Sequence, residues 1–97
     1  MAKAKILAMA KETREYTDKG GKLHKMRHFV IGNENEKYDG FYPSAHMVKL
    51  PSGREFPSAT TELDLSVFGG YDPKIGDIIN IEYGPHDRIV SITKAAN

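Results

Sequence analysis

One segment of the sequence, residues 11–31 (KETREYTDKGGKLHKMRHFVI), is rich in positive charge and contains a tyrosine. This composition suits binding of a polynucleotide. Lysine and arginine neutralise phosphates, and an aromatic ring stacks on an exposed base. Three acids and two histidines lie among the cations. A solvated hairpin with ordinary surface lysines explains the same composition, since charge runs commonly mark solvent-exposed faces. The six cations of the segment are Lys11, Arg14, Lys19, Lys22, Lys25 and Arg27.

The side chains used in catalysis and metal binding do not form a recognisable motif. The sequence has no cysteine, no phosphate-binding glycine loop and no nucleophile elbow. His24 and His28 are four residues apart, which on a strand places them on one face but about 13 Å apart, too far to share a metal ion. Lone carboxylates such as Glu55, Asp64 and Asp77 have no recognisable partner for acid–base chemistry. We therefore expect a protein that is not an enzyme and that needs no metal or other cofactor.

The basic segment is predicted to form one long β-hairpin. Its first strand runs to Tyr16, and residues 18–21 form a tight turn whose two glycines can take the positive φ angles that such a turn needs. Neither face of the returning strand is apolar near this turn, so we expect the tip to project into solvent and residues 29–31 to anchor it in the core. Because strand side chains alternate, the two faces of the returning strand carry residues 23, 25, 27, 29 and 31, and residues 24, 26, 28 and 30.

Length, composition and charge limit the class of protein. The 97 residues fit one domain spanning residues 1–97. The lack of cysteine favours a reducing setting, no apolar run approaches a membrane span, and the first residues do not fit a secretory signal, so we expect a cytoplasmic protein without a membrane partner. The net charge is only +1, but residues 1–28 hold eight cations against three acids and residues 29–97 hold six against ten. This asymmetry predicts a basic surface built mainly by the first two strands.

The remaining sequence is typical of short strands separated by turns. Residues 3–16 form the first strand, with Leu7 and Met9 predicted on one side and residues 6, 8 and 10 on the other. Five or six strands with Gly and Pro turns predict an all-β fold, either a small barrel or a strongly bent sheet. The further predicted elements are a polar turn at 32–37, an edge strand or loop at 38–43, a strand at 46–50, a turn at 51–54, an extended piece at 55–57, a strand or short capped helix within 58–68, a hairpin of strands 78–83 and 88–92, and a loose tail at 93–97.

Two parts of the sequence carry a resemblance to a known family. The basic hairpin has a glycine-containing tip, YTDKGGK at residues 16–22, and the last hairpin begins with PKIGDIINI at residues 73–81. In this layout the chain resembles the small OB-fold single-stranded-DNA-binding proteins of bacteriophages and plasmids, of which the filamentous-phage gene V type is the best-known shape. The resemblance implies an OB-like barrel of five or six strands with a protruding basic hairpin. It also implies a homodimer that coats replicating single-stranded DNA cooperatively and without sequence preference.

The resemblance assigns the contact side chains, and two other functions stay open. An RNA-binding domain would use the same platform, since stacking does not read the 2′-hydroxyl. A protein-interaction or assembly module would instead use exposed strand edges carrying Phe41, Met47 and Val48. Whether Phe41 and Tyr42 cover the core or form a binding platform is not decided by their spacing. The DNA-contacting residues implied by the resemblance are Arg14, Tyr16, Lys22, Lys25, Arg27, Phe29, Tyr38 and Tyr42.

Overall fold

The computed structural model describes residues 2–43, 53 and 60–95. These residues form a single sheet of six β-strands with two short 3₁₀ turns and no α-helix among them, which confirms the predicted all-β class. The elements predicted at 46–50, 51–54 and 55–57 lie outside the described residues, apart from Gly53. The strands are β1 (Ala2–Thr17), β2 (Leu23–Gly32), β3 (Phe41–Tyr42), β4 (Thr60–Asp64), β5 (Ile78–Tyr83) and β6 (Ile89–Lys94), and the 3₁₀ turns are Leu65–Phe68 and Pro85–Asp87.

The sheet is built around β1, which has 16 residues and reaches both halves of the sheet. Residues 2–5 of β1 pair with β5, and the longer remainder, up to Thr17, pairs with β2. The strand order is β4-β2-β1-β5-β6, and β3 runs parallel to β1. Within the described residues β4 and β6 are not paired with each other, so the sheet is not closed into the predicted barrel. The 3₁₀ turn Leu65–Phe68 packs against both β2 and β6 and bridges this open side.

A β-bulge in β1 changes which of its side chains face the core. Between Ile6 and Ala8, two residues of β1 correspond to a single step of β2. An inserted residue reverses the alternation of side chains beyond it. Ile6 therefore shares the main core with Met9, whereas Leu7 and Ala8 belong to a cluster on the other face. The prediction that Leu7 and Met9 share one side, opposite Ile6, is wrong for this reason.

Buried apolar side chains form two clusters, one on each face of the sheet. The face that carries Phe29 and Leu63 is called the core face, and the face that carries Val30 and Tyr42 is called the back face. Strands from both halves of the sheet contribute to the core-face cluster, so the sheet curls around it. That cluster consists of Ile6, Met9, Phe29, Leu63, Phe68, Ile79, Ile81 and Ile92. The back-face cluster consists of Leu7, Ala8, Ala10, Val30 and Tyr42.

The strand predicted within 58–68 ends at Asp64, and a 3₁₀ turn follows it. The Asp64 carboxylate accepts a hydrogen bond from the Ser66 amide at 2.9 Å, which caps this turn. Gly69 ends the turn in the left-handed region, at φ 59°. The turn brings Phe68 into the main core, where its ring centroid lies 5.4 Å from that of Phe29. The strand prediction fails beyond Asp64 because this aspartate satisfies the backbone in a turn conformation.

The C-terminal hairpin forms as predicted, with β5 and β6 antiparallel. The loose tail predicted at 93–97 is wrong for residues 93–95. Strand β6 continues to Lys94, and the amide of the buried Ala95 donates to the Ile78 carbonyl at 2.9 Å. Pairing with the start of β5 and burial of a small side chain therefore hold these residues in the fold.

Candidate nucleic-acid interface

Cross-strand register places the predicted contact residues on two faces of the β1–β2 hairpin. Arg14 and Tyr16 lie opposite Met26 and His24 of β2. The even-numbered residues of β2 share the face of Val30, so Arg14 and Tyr16 occupy the back face. Lys25 and Arg27 alternate with those positions and lie on the core face, in line with Phe29. The two groups point to opposite sides of the hairpin, so a single lane containing all of them does not form.

On the back face, the charge of Arg14 is neutralised by Glu62 of β4. The guanidinium donates from Nε to one carboxylate oxygen at 3.2 Å and from Nη2 to the other. The hydrogen bonds of this bidentate pair lower the pKa of Glu62 and raise the pKa of Arg14. A phosphate at this position would have to displace a carboxylate, so the geometry of Arg14 opposes its predicted role.

Tyr16 forms part of a stack on the same face. Its ring centroid lies 4.8 Å from that of His24 with an interplanar angle of 13°, and the Arg14 guanidinium carbon lies 5.4 Å from its ring. His24 contacts two carboxylates, Asp64 at 2.6 Å from Nδ1 and Asp18 at 2.8 Å from Nε2. Arg14 and His24 are therefore both in contact with carboxylates. The back face of the hairpin is not the basic surface that the sequence predicts.

Phe29 and Tyr42, two of the predicted contact residues, are core residues whose rings cannot stack on a base. Both are fully buried, with 0 % of their surface exposed. Phe29 packs against Phe68, and the Tyr42 hydroxyl is hydrogen-bonded to Nδ1 of His28 at 2.9 Å. Burial raises the pKa of Tyr42 to about 12 and lowers the pKa of His28. The prediction is wrong for both residues because alternation directs each ring into an apolar cluster.

Arg27 is a predicted cation that the structure holds beside an exposed ring. Its Nε donates to the Ala10 carbonyl at 2.6 Å, and its guanidinium carbon lies 5.9 Å from the ring centroid of Phe41. This carbonyl lies in a second irregularity of the hairpin, where β1 advances four residues from Met9 to Thr13 while β2 advances two. Phe41 is 45 % exposed. A ring and a fixed cation thus meet at one place, as binding of a base and its phosphate requires.

The Arg27–Phe41 pair lies at a groove of about 420 Å³. Met9 and Ile75 give this groove apolar walls, while Arg27 and Lys74 supply positive charge. Lys74 is paired with Asp72 at 3.2 Å, but both side chains are more than 70 % exposed, and a pair so solvated holds its partners weakly. Its ammonium can therefore exchange to a phosphate. The residues that line the groove are Met9, Arg27, Phe41, Asp72, Pro73, Lys74 and Ile75.

Tyr38 is a second exposed ring beside the same loop. It is 60 % exposed, and Nζ of Lys5 lies 5.7 Å from its ring centroid. Gly76 packs against it at φ 94°, where a Cβ atom would lie 3.3 Å from the ring. Because Gly76 directly follows the groove residue Ile75, Tyr38 packs against the same loop that lines the groove. We call the two ring–cation pairs, Arg27–Phe41 and Lys5–Tyr38, together with Lys74 the ring–cation surface.

The lysines Lys22 and Lys25 are exposed at the tip and on the core face of the hairpin. Within the described residues neither ammonium forms an ion pair, although Lys25 lies opposite Glu15 in the β1–β2 register. Lys25 and Arg27 are two residues apart on one face, which separates them by about 6–7 Å along the strand. Lys25 is therefore the neighbour of Arg27 on the core face, with the carboxylate-bearing Glu15 opposite it on β1.

The sequence predicted Arg27 and Tyr38 as contact residues, left Phe41 open between core and binding platform, and missed Lys74 and Lys5. The adjacent rings at positions 41 and 42 carried a usable signal, because neighbouring residues of a strand face opposite sides and only one of the two enters the core. Lys74 carried none, since its place beside Arg27 depends on how the loop before β5 folds back. The partners of each ring–cation pair are distant in sequence, and pairing of β1 with β2, β3 and β5 sets their positions.

The described residues offer no metal site, since they contain no group of three or more His, Asp or Glu side chains placed to hold an ion. In the same part of the chain, no helix has the length and apolar character needed to cross a membrane. No protein-family model matches the sequence, and comparisons with curated proteins and with solved structures find no match either.

Proposed function

We propose that the protein binds single-stranded DNA across the ring–cation surface, without sequence preference and without catalysis. The observation that carries this proposal is the exposed Phe41 ring 5.9 Å from the guanidinium of Arg27. Tyr38 and Lys5 repeat the combination at 5.7 Å. A ring that stacks on any base, beside a cation that neutralises a phosphate, is the combination by which proteins bind single strands of any sequence.

The ring–cation surface is large enough to give measurable affinity. Stacking contributes about 1–3 kcal/mol per base, so two rings contribute roughly 2–6 kcal/mol before the cost of ordering the strand. Three cations that each neutralise one phosphate give a slope of log K against log salt of roughly −2, at about −0.7 per contact. A fourfold rise in salt concentration is then expected to weaken binding about 16-fold.

The binding test is a fluorescence anisotropy titration of a labelled oligothymidylate at two salt concentrations that differ fourfold. We expect saturable binding at low salt and about 16-fold weaker binding at high salt. An oligonucleotide that fails to bind at low salt contradicts the proposal. A repeat with an oligouridylate compares DNA with RNA, which the exposed rings alone do not distinguish.

A charge-reversal pair locates the surface. The double variant Lys25→Glu, Arg27→Glu is expected to abolish binding, because it replaces two neighbouring cations of the core face by acids that repel phosphates. The matched control is Arg88→Glu, Lys94→Glu, which makes the same change in net charge at exposed positions of the β5–β6 hairpin. Circular dichroism checks that both variants fold. Equal affinity of the two double variants would place the binding site elsewhere.

The biological setting in this proposal rests on the family resemblance. It includes a homodimer, cooperative coating of the strand, and phage or plasmid replication in the host cytoplasm. Sedimentation equilibrium at micromolar concentration tests the dimer independently of DNA. A monomer in that experiment removes the dimer from the proposal and leaves the ring–cation surface as the binding site.

A protein-interaction module is the second candidate, and the open edge of β6 favours it. Within the described residues β6 pairs only with β5, and nearby Tyr83 and Val90 are 49 % and 47 % exposed. A partner that adds a strand to this edge would bind through backbone hydrogen bonds and apolar contacts, with little dependence on salt. Of the edge residues predicted for this function, Phe41 is exposed, and Met47 and Val48 lie outside the described residues.

A further inference from the structure

A histidine on the back face joins the tip of the β1–β2 hairpin to β4, away from the ring–cation surface. His24 lies between Asp18 of the turn, 2.8 Å from Nε2, and Asp64 at the end of β4, 2.6 Å from Nδ1. Only 16 % of the His24 side chain is exposed. The two aspartates are 6 and 40 positions away in sequence, so His24 connects a local turn with a distant strand.

Both carboxylates are held in place by other hydrogen bonds. Oδ1 of Asp18 accepts from the amides of Gly20 and Lys22, each at 2.9 Å, and Oδ2 is left to face His24. Oδ1 of Asp64 accepts from the Ser66 amide in the 3₁₀ turn, again leaving Oδ2 for the histidine. An ionised carboxylate only accepts hydrogen bonds, and an imidazole donates from both nitrogens only when it is protonated. The arrangement is therefore complete only with His24 as an imidazolium.

The charges around His24 favour the same state. From β1, the Tyr16 ring stacks on the imidazole and Arg14 lies over that tyrosine, while Glu62 of β4 pairs with Arg14. With protonated His24 the cluster has two cations against three carboxylates, and with neutral His24 it has one cation against three. Hydrogen bonds to Asp18, and then to Asp64, raise the pKa of His24. Loss of the proton would leave one aspartate without its donor and increase the repulsion among the acids.

We propose that His24 is a proton-dependent clamp that orders the hairpin tip and, with it, Lys22 and Lys25 for binding of the polynucleotide. The polynucleotide rests on the function proposed above, whereas the clamp does not. The clamp is complete below the ordinary histidine pKa of 6.5 and is lost as the pH rises through the higher pKa of folded His24. At the acidic end it persists until the aspartates are protonated, which their lowered pKa values place below 3.8.

An NMR titration tests the clamp without DNA. We expect the His24 imidazole to titrate above 6.5, and the backbone order of residues 18–23, measured by the heteronuclear NOE, to fall over the same pH range. His24→Gln should make this segment mobile at every pH. The matched control is His86→Asn, which replaces an exposed histidine at φ 61° by a residue that tolerates this conformation, and it should leave the titration unchanged. A His24 pKa at or below 6.5, or tip order that does not change with pH, overturns the proposal.

Oligonucleotide affinity tests the link between the clamp and binding. Between about pH 6 and pH 9 the wild-type protein and His86→Asn should lose affinity several-fold, whereas His24→Gln should bind weakly at both. If the wild type and His24→Gln bind equally tightly at both pH values, the link is overturned although single-strand binding stands. If no oligonucleotide binds at either pH, the proposed function fails and the NMR titration alone decides whether the clamp exists.

Discussion

Replacing Phe41 by alanine is expected to weaken single-strand binding and to leave the fold intact. The ring is 45 % exposed and belongs to neither buried cluster, so its removal takes away a stacking platform without opening a core cavity. Loss of one base stack costs about 1–3 kcal/mol, which is roughly a 5- to 150-fold rise in Kd. The slope of affinity against salt should not change, because the variant keeps Arg27 and every other cation.

The assay is the anisotropy titration with labelled oligothymidylate, repeated over a series of salt concentrations. Tyr83→Ala is the matched control, since that ring is equally exposed, at 49 %, but lies at the end of β5 away from the groove. We expect Tyr83→Ala to bind like the wild type. If Phe41→Ala binds the oligonucleotide as tightly as the wild type, or if both variants lose affinity equally, the assignment of Phe41 as a stacking platform is refuted.

Three further predictions concern the fold that positions this surface. Phe29→Ala should lower the free energy of unfolding by about 3–5 kcal/mol in urea denaturation, because it empties a fully buried site; a loss under 1 kcal/mol would contradict the core assignment. The stability of the wild type should fall as the pH drops from 3.8 towards 2, because the hydrogen bond with His24 lowers the pKa of Asp64 to about 2. The variant Asp64→Asn should lose less stability over this pH range, and an equal loss of stability would contradict this cause. Gly76→Ala should destabilise more than Gly21→Ala, measured by the same denaturation, because both glycines have positive φ but only Gly76 packs against the Tyr38 ring; equal losses would show that this contact is unimportant.

Local sequence patterns were sufficient for most strands. The turn at 18–21 and the hairpin of β5 and β6 follow from glycines, prolines and alternation, and both form where predicted. The same alternation assigned the wrong faces within β1, because the bulge between Ile6 and Ala8 leaves no mark in residue types. A single extra residue is enough to reverse the faces of a strand. Strand positions could thus be predicted more reliably than the direction of individual side chains.

The charge state of the hairpin could not be predicted from its own residues. Glu62 and Asp64 lie 48 and 40 positions from the basic residues they contact, and they arrive only when β4 pairs with β2. Counting charges along residues 1–28 therefore overstated the positive potential of the back face. Arg27 is not neutralised in this way because it lies on the core face, where its Nε donates to the Ala10 carbonyl rather than to a carboxylate.

The aromatic segment before Pro43 is a second case in which pairing with a distant strand decides where the side chains lie. Sequence could not decide between core and surface for Phe41 and Tyr42, and the structure places one ring on each side: Tyr42 fully buried and Phe41 45 % exposed. Parallel pairing of β3 with β1 decides this, since it fixes the register at Met9 opposite Phe41.

The most direct test of the ring–cation surface is an NMR titration of the ¹⁵N-labelled protein with unlabelled oligothymidylate. We expect chemical-shift changes at Phe41, Lys74 and Tyr38 and at the Nε resonance of Arg27, with no change at Arg14. Shifts confined to Arg14 and the rest of the back face, or no shifts at a saturating concentration of oligonucleotide, would contradict the proposal that single-stranded DNA binds at this surface.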